Sequence, residues 1–312
     1  MNIILALIGF ALLIKCADIF VSGASSFAKN LKVPTIVIGL TIVAFGTSAP
    51  ELAISFSSHL SGNADMMFGN VFGSSIANVL FILGLAVLVV PLEISGDVIK
   101  KQIPILLLIT VGVSVLFLDS VFSGAETNGL SRADGIVMLL LFSVFVYYLI
   151  SAVKDKKSDD DAKPKYKTIT SIALIIGGLA GVIFGSNLVV NNVASFAENI
   201  GVSQKVISVT IIAIGTSLPE LVTTIVATRK GESNLAIGNI IGSNIFNISI
   251  VLGLPVVAMG EVQTLAFGVV DIMFMLLAVV LLWVFSATGR KLKRYEGAIL
   301  VIMYATYIFY VL

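Results

Sequence analysis

Charge is scarce in this 312-residue chain, where Asp, Glu, Lys and Arg together make up 12%. A soluble domain carries about 25%. The net charge of +1 gives no reason to expect a nucleic acid or an acidic substrate as partner. The single cysteine, Cys16, allows no intramolecular disulfide. No His-Glu-x-x-His sequence is present and no nucleophile stands beside a convincing base, so an enzyme has little support. The amino terminus lacks both a charged leader and a small-residue cleavage site, and its first apolar stretch reads as a retained helix.

What the chain has in abundance is apolar sequence, at 58%. Ten apolar segments stand out, at about residues 2–24, 34–58, 66–90, 102–118, 134–152, 168–192, 204–227, 235–258, 264–287 and 296–312. Most approach the ~20 residues that cross a bilayer as helix. The expected fold is all-α, a polytopic membrane protein. The strongly polar stretch KDKKSDDDAKPKYK, residues 154–167, reads as a linker.

Two short runs break the apolar pattern. Gly46-Thr47-Ser48-Ala49-Pro50-Glu51 returns as Gly215-Thr216-Ser217-Leu218-Pro219-Glu220, 169 residues later. A carboxylate at membrane depth is costly and points to a functional site. The proline after each hydroxyl pair cannot donate to the carbonyl four residues back, so each run breaks its helix. Broken backbone at that depth is tolerated only where it is buried in protein or lines a wet cavity. The same offset relates GNVFGSSIANVLFILGL at Gly69 to GNIIGSNIFNISIVLGL at Gly238, with nine of seventeen positions identical. It runs without gaps from Ser26-Phe27-Ala28 through Leu85.

The chain therefore repeats itself. Residues 1–153 form one five-helix unit and residues 168–312 the other, joined by the linker at 154–167. Five is odd, so the second unit enters the membrane from the opposite side. The expectation is ten transmembrane helices in two inverted repeats, with the substrate near the midplane where they meet. Sixteen Lys and Arg fall in one set of loops, against Arg132 and Lys205 in the other. The positive-inside rule then puts the linker in the cytoplasm and both termini outside.

On a helix, Thr47, Ser48 and Glu51 share a face, as do Asn70, Ser74 and Asn78 in the next segment. The second half repeats this with Thr216, Ser217 and Glu220, then Asn239, Ser243 and Asn247. Glycines 46, 69, 73, 215, 238 and 242 are expected to let helix backbones approach closely. The donors are carboxylate, hydroxyl, amide and carbonyl oxygens, which favours Ca²⁺, Na⁺, Mg²⁺ or Mn²⁺ over zinc or copper. Calcium takes about six to eight oxygens. Two glutamates supply four at most and neutralise one divalent ion. When that ion leaves, sodium ions or protons must replace it, because two adjacent charges in a low dielectric are unfavourable. Coupled exchange follows naturally.

The paired motifs GTSAPE with GNVFGSSIAN, and GTSLPE with GNIIGSNIFN, closely resemble the two alpha repeats of the sodium/calcium exchanger branch of the calcium:cation antiporter superfamily. The chain looks like a short prokaryotic member, with alpha motifs at about 36–90 and 205–258. The resemblance implies ion sites built from helices two, three, seven and eight, and sliding of helices one and six. It implies that Glu51 and Glu220 share a calcium site with the backbone carbonyls of Thr47 and Thr216. It implies sodium positions drawn from Ala44, Ser48, Ser74, Asn78, Ala213, Ser217, Ser243 and Asn247. Some members have aspartate where this chain has Asn247, often with potassium-coupled exchange, so no potassium requirement is expected here. The implied activity is Ca²⁺ export against Na⁺ entry across the cell (inner) membrane, by a monomer without a cofactor. The alternatives are exchange of Ca²⁺, or of divalent cations more broadly, for H⁺, and a cation channel.

Other polar residues read as structural. His59 is expected in a solvated loop at a helix end, and Asp134 and Asp271 as solvated residues near helix ends. Lys15 and Asp18, three apart, are expected to form an ion pair within the first segment.

Overall fold

The computed structural model describes residues 2–155, 163–201 and 213–311. Helix lies at each of the ten expected segments, the seventh being described only from Ala213. In chain order these are α1 (Asn2–Leu31), α2 (Thr35–Thr47), α3 (Ala49–Leu60), α4 (Ala64–Val89), α5 (Val98–Phe117), α6 (Arg132–Asp155), α7 (Thr168–Asn199), α8 (Ala213–Thr216), α9 (Leu218–Arg229), α10 (Ser233–Met259), α11 (Val269–Ala287) and α12 (Arg294–Val311). Among the described residues, seven helices are long and apolar enough to cross a membrane. The pair α2–α3, bent by 45°, would make an eighth.

α4 and α10 are the centre of the protein, with 78% and 83% of their most apolar window buried, against 28% for α1 and 17% for α6. Their sequences suit that place. Both are apolar apart from the serines and asparagines of the repeated motif, as suits a helix surrounded by others, and both carry the glycines of that motif. A Cβ on Gly238 would lie 2.8 Å from the Ile36 carbonyl oxygen, and one on Gly242 2.6 Å from that of Leu40. α10 and α2 thus touch backbone to backbone. The other four differ from expectation. A Cβ on Gly69 would meet the Phe267 ring, and one on Gly73 nothing within 4 Å among the described residues. Gly46 and Gly215 face α7 and make room for the side chains of Leu179 and Val190, not for another backbone.

α1 and α7 run antiparallel along a seam of small residues. A Cβ on Gly178 would meet the Phe20 backbone nitrogen at 2.7 Å, and one on Gly185 the Leu13 nitrogen at 2.9 Å.

Four short strands sort the loops. β1 (Leu92–Glu93) pairs antiparallel with β4 (Lys291–Leu292), and β2 (Asn128–Leu130) with β3 (Val262–Thr264). Near β1–β4 a cavity of about 600 Å³ is lined by Thr35, Glu93, Glu232 and Arg290. The end of α1 joins this group, since Ser25 donates to Glu232 at 2.5 Å and Asn30 to the Tyr166 carbonyl at 2.7 Å. Near β2–β3, Thr264 donates to Asp65 at 2.5 Å and Thr127 to Gln263 at 2.9 Å. The Lys and Arg count divides these loops in the same way. Lys205 lies outside the described residues.

Three expectations about polar residues fail. Asp18 pairs with Lys230, at 2.8 Å, and not with Lys15, which is exposed. Lys230 also donates to the Asp18 carbonyl and to Ser22, so the loop after α9 is tied to α1. Helical spacing puts Lys15 near Asp18, but a partner 212 residues away competes better. Asp271 is 7% exposed and not solvated, because it receives the Gly268 N–H at 3.0 Å and the Tyr307 hydroxyl at 3.2 Å. It caps α11, an acidic residue in the first turn. His59 sits in the last turn of α3, half-buried, and not in a loop. Asp134 also caps its helix, accepting from the Ser131 N–H at 2.8 Å.

The α1–α7 seam can be tested with neighbouring glycines. Gly178→Ala should cost roughly 1–3 kcal/mol, since the obstructing atoms are backbone. Gly177→Ala, whose Cβ meets nothing within 4 Å among the described residues, should leave stability unchanged. Thermal unfolding of the two variants in detergent checks this; equal midpoints would refute the seam's tightness.

Candidate functional site

Each repeated proline run breaks its helix in the same way. α2 ends at Thr47, Ser48 takes φ −87° and ψ 7°, and α3 begins at Ala49 with Pro50 in its first turn. α8 ends at Thr216, Ser217 takes φ −90° and ψ 7°, and α9 begins at Leu218 with Pro219 in its first turn. Proline suits a first helical turn, where its missing N–H would have no partner anyway. Both glutamates therefore fall at the third position of a new helix. The positive end of that helix's dipole faces them, which favours a carboxylate there.

Glu51 is fully buried and Glu220 is 1% exposed. Ser48, from the first run, donates to Glu220 Oε1 at 3.0 Å. The two runs, 169 residues apart, thus meet in one place. The carboxylates are close enough for the charge on Glu220 to act on Glu51. Both oxygens of Glu51 and Oε2 of Glu220 have no protein hydrogen-bond partner among the described residues. Buried acceptors without partners are rare and costly. An oxygen-seeking cation would satisfy them and cancel the mutual repulsion.

Neutral oxygens surround the pair. Thr47 Oγ1 donates to the Val43 carbonyl at 3.1 Å and to Asn239 Oδ1 at 3.2 Å, and lies 3.5 Å from Ser243 Oγ. Ser217 donates to Ser74 at 3.4 Å. Asn78 Nδ2 donates to Asn244 Oδ1 at 2.9 Å, leaving Asn78 Oδ1 without a partner. Asn247 is fully buried with neither amide atom paired among the described residues. Ala44 is buried, and its carbonyl already accepts from the Ser48 N–H at 3.0 Å. Thr47 Oγ1 lies 3.3 Å from the same oxygen, so the carbonyl's second lone pair faces an ion only when that hydroxyl turns to Val43 or Asn239. Thr216 is half-buried at the end of α8. Ala213 opens α8, and its side chain lies outside the described residues. Among the described residues no group of three His, Cys, Asp or Glu comes together. The acidic content of the site is the glutamate pair.

The repeat extends to supporting contacts that sequence reasoning did not assign. Asn70 donates to Ser55 at 3.2 Å and to the Glu51 carbonyl at 3.0 Å. Asn239 donates to Thr224 at 3.0 Å, and these two residues stand 169 positions after Asn70 and Ser55. The offset alone could have found this pair. Widened, π-type turns start at Asn78 (Asn78–Leu83) and at Asn247 (Asn247–Val251), again 169 apart. Such turns cluster at functional sites. Nothing in the local sequence announces them. Asn244 and Ser75 were also missed, although both lie within the repeated motif.

A family model described as sodium/calcium exchanger protein matches residues 1–151 and 170–312. The inner membrane protein YrbG of Escherichia coli is 36% identical over 280 residues, covering 85% of this chain and 82% of that protein. The sodium/calcium exchanger MaX1 of Methanosarcina acetivorans is 32% identical over 348 residues, covering 98% and 97%. The solved structure of the sodium-calcium exchanger NCX_Mj soaked with 2.5 mM Na⁺ and 0.1 mM Ca²⁺ superposes with a TM-score of 0.84. Identity there is 31%, covering 98% of this chain and 97% of that one. With that fold, and with family matches on both sides of the linker, the chain belongs to the sodium/calcium exchanger protein family.

Proposed function

We propose that this protein is a secondary antiporter that moves Ca²⁺ outward against inward Na⁺, without a potassium requirement. The observation that supports this most directly is the buried pair Glu51 and Glu220, one from each half, with Ser48 of the first half donating to Glu220 and three carboxylate oxygens unpartnered among the described residues. Two negative charges balance one Ca²⁺. The remaining ligands would be the carbonyls of Thr47 and Thr216 together with side-chain oxygens. Ala44, Ser48, Ser74, Asn78, Ala213, Ser217, Ser243 and Asn247 would supply the sodium positions. After Ca²⁺ leaves, Na⁺ at these oxygens restores neutrality, so the empty, doubly charged site is the species the cycle avoids.

In this reading the chain crosses the membrane ten times as two inverted five-helix units, 1–153 and 168–312. The linker at 154–167 is cytoplasmic and both termini are outside. The protein works as a monomer. Access alternates from one side to the other around the glutamates, as inverted repeats permit.

The test is radioactive Ca²⁺ uptake into proteoliposomes loaded with Na⁺, with choline, potassium or sodium outside, and with or without a pH gradient. Uptake should require the outward Na⁺ gradient and ignore potassium. Glu51→Gln and Glu220→Gln should each bring uptake to background while the purified protein keeps its helical circular dichroism. Normal uptake by either variant would mean the site is elsewhere. Uptake driven by a pH gradient alone would replace Na⁺ by H⁺ as the coupling ion.

Asn247 generates a second prediction. Asn247→Asp adds a third carboxylate to a site that now has two, and should change the Na⁺ dependence of uptake. Titrating Na⁺ and K⁺ against the variant checks this; curves superposing on those of the parent protein would remove Asn247 from the site.

A further inference from the structure

The repeat relates Ser75 to Asn244 and Asn78 to Asn247, each 169 residues apart. The backbones correspond, since the same widened turn begins at Asn78 and at Asn247. The side chains do not. Asn244 accepts from Asn78 Nδ2 at 2.9 Å and donates its own Nδ2 to the Ser75 carbonyl at 3.1 Å. Asn244 is 1% exposed and Asn78 fully buried, so water does not compete for these bonds. By the repeat, Ser75 should stand toward Asn247 as Asn244 stands toward Asn78. Among the described residues, Ser75 Oγ has no partner, and neither amide atom of Asn247 has one. A serine hydroxyl ends one bond short of an asparagine amide. The first repeat therefore lacks the arm that the second one uses.

The consequence is chemical. An asparagine amide can turn either its oxygen or its NH₂ toward a cation, and only the oxygen is a ligand. Asn244 occupies the NH₂ end of Asn78 and leaves Asn78 Oδ1 as a buried acceptor with no partner among the described residues. Among the described residues Asn247 has no such constraint. We infer that Asn244 is a positioning residue of the ion site, fixing Asn78 with its oxygen presented to the transported cation. Asn244 acts through Asn78 and does not touch the ion. The inference rests on the reading of this cluster as the ion site, and it makes the two related amides unequal: Asn78 is a preset ligand and Asn247 an adjustable one.

Partners that orient a ligand typically contribute ten- to a hundredfold in metal affinity. One neutral ligand among several belongs at the lower end. The variants are Asn244→Ser, which installs the residue of the first repeat, Asn78→Ala, and the double variant, all in proteoliposomes with radioactive Ca²⁺. Asn78→Ala identifies which cation, Na⁺ or Ca²⁺, loses apparent affinity. For that cation, Asn244→Ser should raise the half-saturating concentration roughly tenfold, with a maximal rate and a thermal midpoint close to those of the parent. In the Asn78→Ala background it should add nothing. Asn244→Ala removes the same contact and should raise the half-saturating concentration in the same way, which reads the contact even if the serine variant does not insert.

An equal further loss on adding Asn244→Ser or Asn244→Ala to Asn78→Ala would overturn the inference, as would no loss in either single variant. A parent protein that takes up no Ca²⁺ under any gradient would instead overturn the exchanger reading. A parent that exchanges, beside an Asn244→Ser variant that matches it, overturns the role of Asn244 alone.

Discussion

A buried carboxylate with unpaired oxygens is among the least tolerable groups in an apolar interior, and this protein gathers two of them, Glu51 and Glu220, in one cluster. Much of the architecture serves that placement. Each glutamate needs a helix start, because the free N–H groups and dipole of a first turn are what an apolar interior can offer an anion. Each helix start needs a break, which the proline two residues in enforces. Each break leaves backbone polar groups at membrane depth, which must be covered by protein. α4 and α10 do the covering, and they are the most buried of the apolar helices. α10 comes close because Gly238 and Gly242 put its backbone against that of α2. Glutamate, proline and glycine in the repeated motifs are thus successive answers to one electrostatic problem.

The sequence revealed this layer because it is encoded locally and stated twice. A carboxylate directly after proline, in an apolar run, recurring with its flanks at a fixed offset, identifies both the break and the site. It also yields the membrane class and the helix positions, since ~20 apolar residues have few other uses. What stayed hidden is what depends on distant partners. Asp18 lies one helical turn from Lys15, yet its ion pair comes from Lys230, beyond the reach of helical spacing. Asp271 looks like a surface acid near a helix end, but the Tyr307 hydroxyl and the Gly268 N–H hold it in the interior. The π-type turns at Asn78 and Asn247 are a compromise of packing between helices, and their sequences are ordinary apolar ones. Asn244 was legible in principle, as a mismatch between aligned motifs, but only geometry shows that the mismatch touches Asn78.

Two repeats with identical contacts would give the two faces of the protein equal energies. The contacts here are not identical. Asp18 and Ser22 bind Lys230, and Ser25 and Lys29 meet Glu232, all on one face of α1. The corresponding positions are Asn187, Asn191, Ala194 and Glu198 on α7, with Ser61 and Asn63 at the places of Lys230 and Glu232. Of these only Glu198 is charged, and Ser61 and Asn63 are neutral where Lys230 and Glu232 are charged, so the Asp18–Lys230 ion pair is not repeated at Asn187 and Ser61. Asn63 instead accepts the Met66 N–H and caps α4. Partly exposed ion pairs contribute about 0–1 kcal/mol each. A difference of that size biases a two-state equilibrium roughly fivefold, enough to set a preference and too little to lock it. The same reasoning applies at the site, where Asn78 is held and Asn247 is not. An exchanger needs its ligands to be shared by both states, which the repeat provides, and its states to be unequal in energy. The few residues at which the repeats part company supply that second requirement.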